Sequence, residues 1–257
     1  MEKINIVING KKLEVEKRKT ILEIAKETGI FIPTLCYHPS IEPYGACRLC
    51  TVEIERNGRK RFVTSCNYPV EDEIEIKTDS EDVLKIRRMI LQFLMAKVGY
   101  TGKVKEFAEM YKVEPVFGIG NDDCILCGLC VNVCKELIGV NAISFSSRGI
   151  NRKVSSPFEK EPFDCIGCGA CSFVCPTGAI KIIDKGNFRE ITKINAKLEL
   201  EKCKICGKPF IPKKLIQYMK NKIGLKEEID TLYICDDCKK NVYLDRINLL
   251  TLIGGKK

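Results

Sequence analysis

Ile4, Ile6 and Ile8 alternate with other residues, Asn9-Gly10 interrupts, and Leu13 and Val15 resume the alternation. A period of two broken by Asn-Gly predicts a β-hairpin over residues 4–15. Thr20 and Glu23 form a capping box around the start of Ile21, Leu22, Ile24 and Ala25, which predicts a helix closed by Gly29. Pro33 imposes an extended approach to Cys36. Strand patterning returns at 51–55 (TVEIE) and 61–66 (RFVTSC), joined by Asn57-Gly58, and again at 73–77 (EIEIK). Hairpin, helix, hairpin and strand predict a small α+β unit over residues 1–78, compatible with a β-grasp sheet.

After residue 78 the period becomes helical. Ser80, Glu81 and Asp82 open a helix whose Val83, Ile86, Ile90, Phe93 and Leu94 are predicted to share the buried face. Residues 79–120 read as a helical connector, in which Gly118 and Gly120 mark a turn rather than a nucleotide loop. Residues 121–184 carry eight cysteines, and residues 185–257 are Lys-rich with four more. Leu215, Ile216, Met219 and Ile223 predict a short amphipathic helix there. Residues 239–257 read as a basic tail with an apolar patch at Leu249, Leu250, Leu252 and Ile253.

Composition changes the picture through cysteine. The 257 residues include 16 cysteines and one histidine, His38. No apolar run is long enough for a membrane span, and the N-terminus has no secretory pattern, so a cytoplasmic location is expected. Thiols there stay reduced, and sixteen of them point to metal rather than disulfides. The net charge of +9 is concentrated: residues 1–184 hold 26 basic and 25 acidic residues, residues 185–257 hold 17 and 9. Thiolate-bound clusters would make the first part acidic and leave a basic tail. Such a tail suits an acidic protein surface, and no stacking-aromatic pattern supports nucleic acid.

Two runs carry the strongest signal: Cys124, Cys127, Cys130, Cys134 and Cys165, Cys168, Cys171, Cys175, each spaced x2, x2, x3. In bacterial ferredoxins with this spacing the fourth cysteine crosses to the other cluster. One [4Fe–4S] site is therefore expected on Cys124, Cys127, Cys130 and Cys175, and the other on Cys134, Cys165, Cys168 and Cys171. The 30 residues between Cys134 and Cys165 predict an inserted loop or hairpin. Cys36, Cys47, Cys50 and Cys66 resemble the plant-type [2Fe–2S] spacing, with x10 in place of x4; structural zinc is the alternative. Gly45 and Ala46 keep that loop small for a close backbone approach to the cluster, and His38 reads as a loop residue beside four thiolates. Cys203, Cys206, Cys235 and Cys238 form two CxxC pairs and predict a zinc-ribbon-like module with a structural Zn, a third [4Fe–4S] cluster or a redox pair being the alternatives. No nucleophile–base pair or phosphate-binding Gly loop appears, so no catalytic centre is expected on this chain.

IPTLCYHP at 32–39 and GACRLCTVEI at 45–54 resemble the N-terminal domain of the large iron–sulfur subunit of respiratory complex I. That domain also occurs in NAD-linked and electron-bifurcating [FeFe] hydrogenases and some formate dehydrogenases. CILCGLCVNVCKELIGVNAI at 124–143 resembles their first ferredoxin run, with Lys135 where proline is usual. The likeness spans about residues 1–184 and implies the [2Fe–2S] and two [4Fe–4S] ligand sets above. Residues 79–123 contain neither His nor Cys, so the His-plus-three-Cys cluster of many such relatives is expected to be absent. In size the chain is similar to the small iron–sulfur diaphorase subunit of NAD-linked hydrogenases.

The resemblance implies a hetero-oligomeric electron-transfer subunit of a cytoplasmic NAD(P)H-linked oxidoreductase, with or without flavin-based bifurcation. It would relay electrons between a flavin- and NAD(P)H-binding subunit and a catalytic subunit or soluble ferredoxin. The rival readings are a wiring subunit of a non-bifurcating hydrogenase or formate dehydrogenase, and a free-standing polyferredoxin. The expected fold is α+β in four parts: a β-grasp [2Fe–2S] domain (1–78), a helical connector (79–120), a bacterial-type 2[4Fe–4S] ferredoxin domain (121–184) and the C-terminal zinc-ribbon-like module (185–257). Residues 201–257 are expected to serve partner docking and to be dispensable for cluster content.

Overall fold

The computed structural model of the protein describes residues 2–118, 120, 122–223 and 230–241. The chain divides into two compact units: Met1–Gly139 with Phe145–Lys153 and Cys171–Ala179, and Val140–Ser144 with Val154–Ala170 and Ile180–Lys257.

The first unit begins with β1 (Lys3–Ile8) and β2 (Lys11–Glu16), joined through Asn9 and Gly10, both at positive φ as a tight hairpin turn of this kind requires. Helix α1 (Ile21–Glu27) starts at Thr20 with both hydrogen bonds of the capping box formed, and buries Ile21, Leu22, Ile24 and Ala25. Strands β3 (Thr51–Arg56) and β4 (Arg59–Thr64) make the second hairpin, and β5 (Glu75–Lys77) completes a sheet ordered β2-β1-β5-β3-β4. The β1–β5 pair is parallel and the others antiparallel. This is the β-grasp arrangement. Its core is formed by Ile6, Ile8, Ile21, Leu22, Ile24, Val52 and Ile76.

Helix α2 (Glu81–Val98), capped by Ser80, and α3 (Gly102–Met110) follow. The buried face of α2 is Val83, Arg87, Leu91, Met95 and Val98, not the predicted Val83, Ile86, Ile90, Phe93 and Leu94. The helix has apolar residues on two sides, and the side facing the core is the one that includes an arginine. Phe93 is 57% exposed and stacks on Phe117, with ring centroids 5.3 Å apart. Helix α4 (Leu129–Asn132) carries Cys130 and continues into a π-helical stretch, Val133–Ile138, that carries Cys134. The insert between the cysteine runs, expected to be a loop or a hairpin, contains the paired strands β6 (Ser144–Ser146) and β7 (Lys153–Ser155). Helix α5 (Ala170–Phe173) carries Cys171.

The second unit is built on an antiparallel sheet ordered β11-β10-β9-β8, from β8 (Ile182–Lys185), β9 (Phe188–Ile191), β10 (Ala196–Lys202) and β11 (Pro209–Pro212). In β10, Ala196, Leu198 and Leu200 are buried while Lys197 and Glu199 are exposed, a period of two. Helix α6 (Lys213–Ile223) forms where the amphipathic pattern predicts it and buries Ile216. The predicted apolar patch at Leu249–Ile253 lies outside the described residues.

Candidate metal and electron-transfer centres

Cys36, Cys47, Cys50 and Cys66 gather at the end of the β-grasp sheet, none more than 8% exposed. Cys47 and Cys50 flank Arg48 and Leu49 just before β3, and Cys66 follows β4, so the β3–β4 hairpin brings Cys50 and Cys66 together. Arg48 is left-handed, at φ 60°. The Cys47 amide donates to Cys36 Sγ at 3.4 Å. The thiols interact in two pairs, Cys36 with Cys47 and Cys50 with Cys66. Two thiolates per metal is what a two-iron rhomb takes. Within each pair one thiol assumes the charge. Cys47 is drawn down to about 6 by the Cys36 thiol and the Leu49, Leu35 and Cys36 amides, against its burial. Cys50 is drawn down to about 7 by the Cys66 thiol and by the Cys66 amide and Ser65 hydroxyl, while Cys36 and Cys66 are pushed up by their partners and by burial. Ser65 is completely buried with no oxygen or nitrogen partner, leaving its hydroxyl for sulfur. Four buried thiols gathered at one place, with an amide aimed at sulfur, fit a thiolate-bound cluster.

Arg87 supports this loop from below. It is 2% exposed, and its guanidinium donates to the Leu49 carbonyl (3.2 Å) and the Thr51 carbonyl (2.9 Å), on either side of Cys50. Burial lowers its pKa, while Tyr111 and Cys50 act the other way. Sequence reasoning missed Arg87. The available signal was its place four residues after Val83 and four before Leu91, on one apolar stripe. Gly45 also meets a protein neighbour. A methyl group there would lie 2.8 Å from Asn67 Nδ2, and φ is 66°. His38 accepts from the Ser40 amide through Nδ1 at 3.2 Å, closing a turn in the loop.

The first cysteine run lies in the same unit. Leu126 adopts φ 55°, a costly conformation for leucine, and its amide donates to Cys124 Sγ at 3.4 Å. In the second run Gly167 occupies the corresponding position at φ 71°. The Leu126 turn thus aims a backbone N–H at sulfur, as anion-binding nests do at their ligands. Cys127 is pushed up to about 12 by burial and by the charges of Cys175 and Cys124; Cys130 is pushed up by burial and by Cys127, Cys124, Cys171 and Cys175. Cys171 and Cys175 both lie close enough to the first run for their charges to act on Cys130, so the crossed assignment of Cys175 rests on the spacing. Cys134 and Cys171 belong to the first unit and Cys165 and Cys168 to the second, so that quartet rests on its spacing.

The long Cys36–Cys47 loop reaches the first run. A methyl at Gly128, between Cys127 and Cys130, would lie 3.2 Å from the Tyr44 ring. Tyr44 also stacks on Phe145 and accepts from Arg152 at 3.2 Å, and the Glu42 amide donates to Glu136 at 2.9 Å. The x10 spacing therefore supplies a docking loop. Through Tyr44 and Gly128 the loop between Cys36 and Cys47 thus lies against the turn between Cys127 and Cys130.

The C-terminal quartet is the tightest. The sulfurs of Cys203, Cys206, Cys235 and Cys238 all lie within 4.8 Å of one another. The Cys235 amide donates to Cys203 Sγ at 3.4 Å. Cys203 is drawn down to about 6: burial opposes this, but the Cys206, Cys235 and Ile205 amides prevail. Cys238 is pushed up to about 12 by burial.

Residues 1–81 match the 2Fe-2S iron-sulfur cluster binding domain, and residues 123–179 and 164–208 match the 4Fe-4S dicluster domain. The chain thus carries iron–sulfur domains of the ferredoxin-like kind. It is 35% identical over 204 residues to NADPH-Fe(3+) oxidoreductase subunit alpha of Geobacter sulfurreducens, covering 69% of this chain and 24% of that one. It is 34% identical over 214 residues to NADP-reducing hydrogenase subunit HndD of Solidesulfovibrio fructosivorans, covering 70% and 36%. A 29% identity over 203 residues links it to the NADH-ubiquinone oxidoreductase 75 kDa subunit of Reclinomonas americana, covering 69% and 29%. This iron–sulfur chain spans about a quarter of the length of the first curated relatives it matches. Its fold is similar to a chain of an NAD+-reducing [NiFe]-hydrogenase in the H2-reduced state, with TM-score 0.59 and 24% identity over 68% of this chain and 86% of that one. Among the described residues no helix is long and apolar enough to cross a membrane.

Proposed function

We propose that this chain is the electron-transfer subunit of a cytoplasmic, hetero-oligomeric NAD(P)H-linked oxidoreductase. It would relay electrons between a flavin- and NAD(P)H-binding subunit and a catalytic subunit or ferredoxin. The observation that carries this reading is the meeting of two cysteine-bearing loops in one unit, with Tyr44 of the Cys36–Cys47 loop lying against Gly128, between Cys127 and Cys130. Relatives whose names describe NADPH-, NADP- and NADH-linked oxidoreductases support the nicotinamide connection.

The proposed ligands are Cys36, Cys47, Cys50 and Cys66 for a [2Fe–2S] cluster, Cys124, Cys127, Cys130 and Cys175 for one [4Fe–4S] cluster, and Cys134, Cys165, Cys168 and Cys171 for a second. The C-terminal quartet is assigned to Zn. Bound clusters supply one-electron transfer without bond making. The chain's own part is to hold thiolates, aim amides at sulfur, and exclude water by burying the Cys50 loop over Arg87. The four-part division at residues 78, 120 and 184 is retained as the functional reading, with strand β8 running across the last of these boundaries.

Reduction of the anaerobic, isolated chain tests the proposal. Dithionite should bleach its visible absorbance, and NADH alone should not. NADH should become effective when the cognate flavoprotein is added. Rapid NADH oxidation by the isolated chain, with no flavin present, would contradict the assignment.

A further inference from the structure

The C-terminal quartet has single-ion dimensions. An ion held tetrahedrally by sulfur at about 2.3 Å has sulfur–sulfur edges of about 3.8 Å. Cys206 Sγ and Cys235 Sγ lie 3.7 Å apart, and all four sulfurs are mutually within 4.8 Å. A cubane places an iron between its centre and each cysteine and holds the sulfurs farther apart. Cys203 and Cys206 lie in the connection from β10 to β11, where the Cys203 amide donates to the Lys208 carbonyl at 2.9 Å. An ion there pins those two strands together.

The same sheet forms the floor beneath the Cys165–Cys168 loop. A methyl on Gly167 would lie 2.7 Å from Pro212 Cγ in β11 and 3.2 Å from Leu198 Cδ1 in β10. One on Gly169 would lie 2.7 Å from Ile182 in β8. From β9, Arg189 donates to the Gly167 carbonyl at 3.3 Å and the Phe210 carbonyl at 3.5 Å, while Asp184 grips it twice at 2.8 Å. Phe210 in turn packs against Cys203, Cys235 and Cys238. Lys214 of α6 donates to the Phe163 carbonyl, just before Cys165, at 2.7 Å. Every strand of the sheet thus touches the loop or the turn beside it.

We propose that Cys203, Cys206, Cys235 and Cys238 bind one zinc ion and that this ion braces the Cys165–Cys168 loop through Phe210, Arg189 and Pro212. The brace rests on the reading of that loop as a [4Fe–4S] ligand segment. It reverses the expectation that residues 201–257 are dispensable for cluster content, because Phe210, Pro212 and Lys214 fall within them.

The full chain, purified anaerobically, should contain about one zinc and about ten iron atoms. The double variant Cys206→Ser/Cys238→Ser should lose the zinc and about four irons, leaving the [2Fe–2S] paramagnetic signal intact. Arg189→Gln, which removes no thiol, should keep the zinc but release about four irons to a chelator about fivefold faster than wild type. About fourteen irons without zinc, or about eleven, would overturn the zinc assignment in favour of a cluster or a mononuclear iron. Wild-type iron content and release rates in both variants would overturn the brace. A wild type with about six irons would instead overturn the two-cubane reading beneath it.

Discussion

Replacing Arg87 by Met keeps the length of the side chain and removes its charge and donors. The Leu49 and Thr51 carbonyls, now accepting at 3.2 and 2.9 Å, would lose those bonds inside the protein. Each buried group left unpaired costs about 1–3 kcal/mol, partly offset because no cation is buried, so about 3 kcal/mol net is expected. In a chain of this size that lowers the melting temperature by roughly 6–12 °C. The second effect is electrostatic. A unit positive charge on the order of 8 Å from a cluster, at an effective dielectric of 20, favours added negative charge by about 2 kcal/mol. At 59 mV per tenfold that is about 85 mV, so Arg87→Met should shift the [2Fe–2S] midpoint potential negative by about 50–90 mV. Arg87→Lys separates the two: charge is kept while the two-carbonyl fork is lost, so the potential should stay near wild type as the melting temperature falls. Calorimetry and a paramagnetic-resonance redox titration read both quantities. An Arg87→Met protein with unchanged melting temperature and potential would refute this account of the loop.

Cys175→Ala should remove the cluster of Cys124, Cys127 and Cys130 from the resonance spectrum and leave the [2Fe–2S] signal; selective loss of the latter would contradict the crossed ligation. Gly167→Ala combines a left-handed φ with a methyl 2.7 Å from Pro212, so the variant should lose about 1–3 kcal/mol on denaturant unfolding. Glu53 is held below its usual pKa by the Ser80 hydroxyl and by Lys60. Its stabilisation is therefore complete above the unfolded value of about 4.3 and disappears as pH falls through the lower folded value. Glu53→Gln should melt below wild type at pH 7, with the gap closing in acid; a gap independent of pH would argue against this pairing.

Local rules made much of this fold legible. Asn9-Gly10 and Asn57-Gly58 fixed both hairpins, Thr20 with Glu23 fixed the start of α1, and Ser80 fixed that of α2. Cysteine spacing alone divided the eight cysteines of residues 124–175 into two runs of four. What escaped was decided by tertiary packing. The α2 sequence is apolar on two sides, and only the carbonyls of the Cys50 loop select the side that includes Arg87. The long Cys36–Cys47 loop gained its meaning from Tyr44 meeting Gly128, a partner 84 residues away in the chain. The β8–β11 sheet was readable in part: Gly186-Asn187 separates two short strands, and Ala196, Leu198 and Leu200 alternate with charged residues. A Lys-rich composition concealed it. Its contact with Gly167 depends on a glycine surface that carries no hydrophobic signal.

The relay stands or falls on whether the clusters are neighbours. Paramagnetic resonance of the dithionite-reduced, anaerobically purified chain measures this directly. The contact of Tyr44 with Gly128 predicts a [2Fe–2S] signal whose relaxation is accelerated, and whose lines broaden, when the [4Fe–4S] clusters are also reduced. A [2Fe–2S] signal that relaxes identically whether those clusters are oxidised or reduced would contradict the relay.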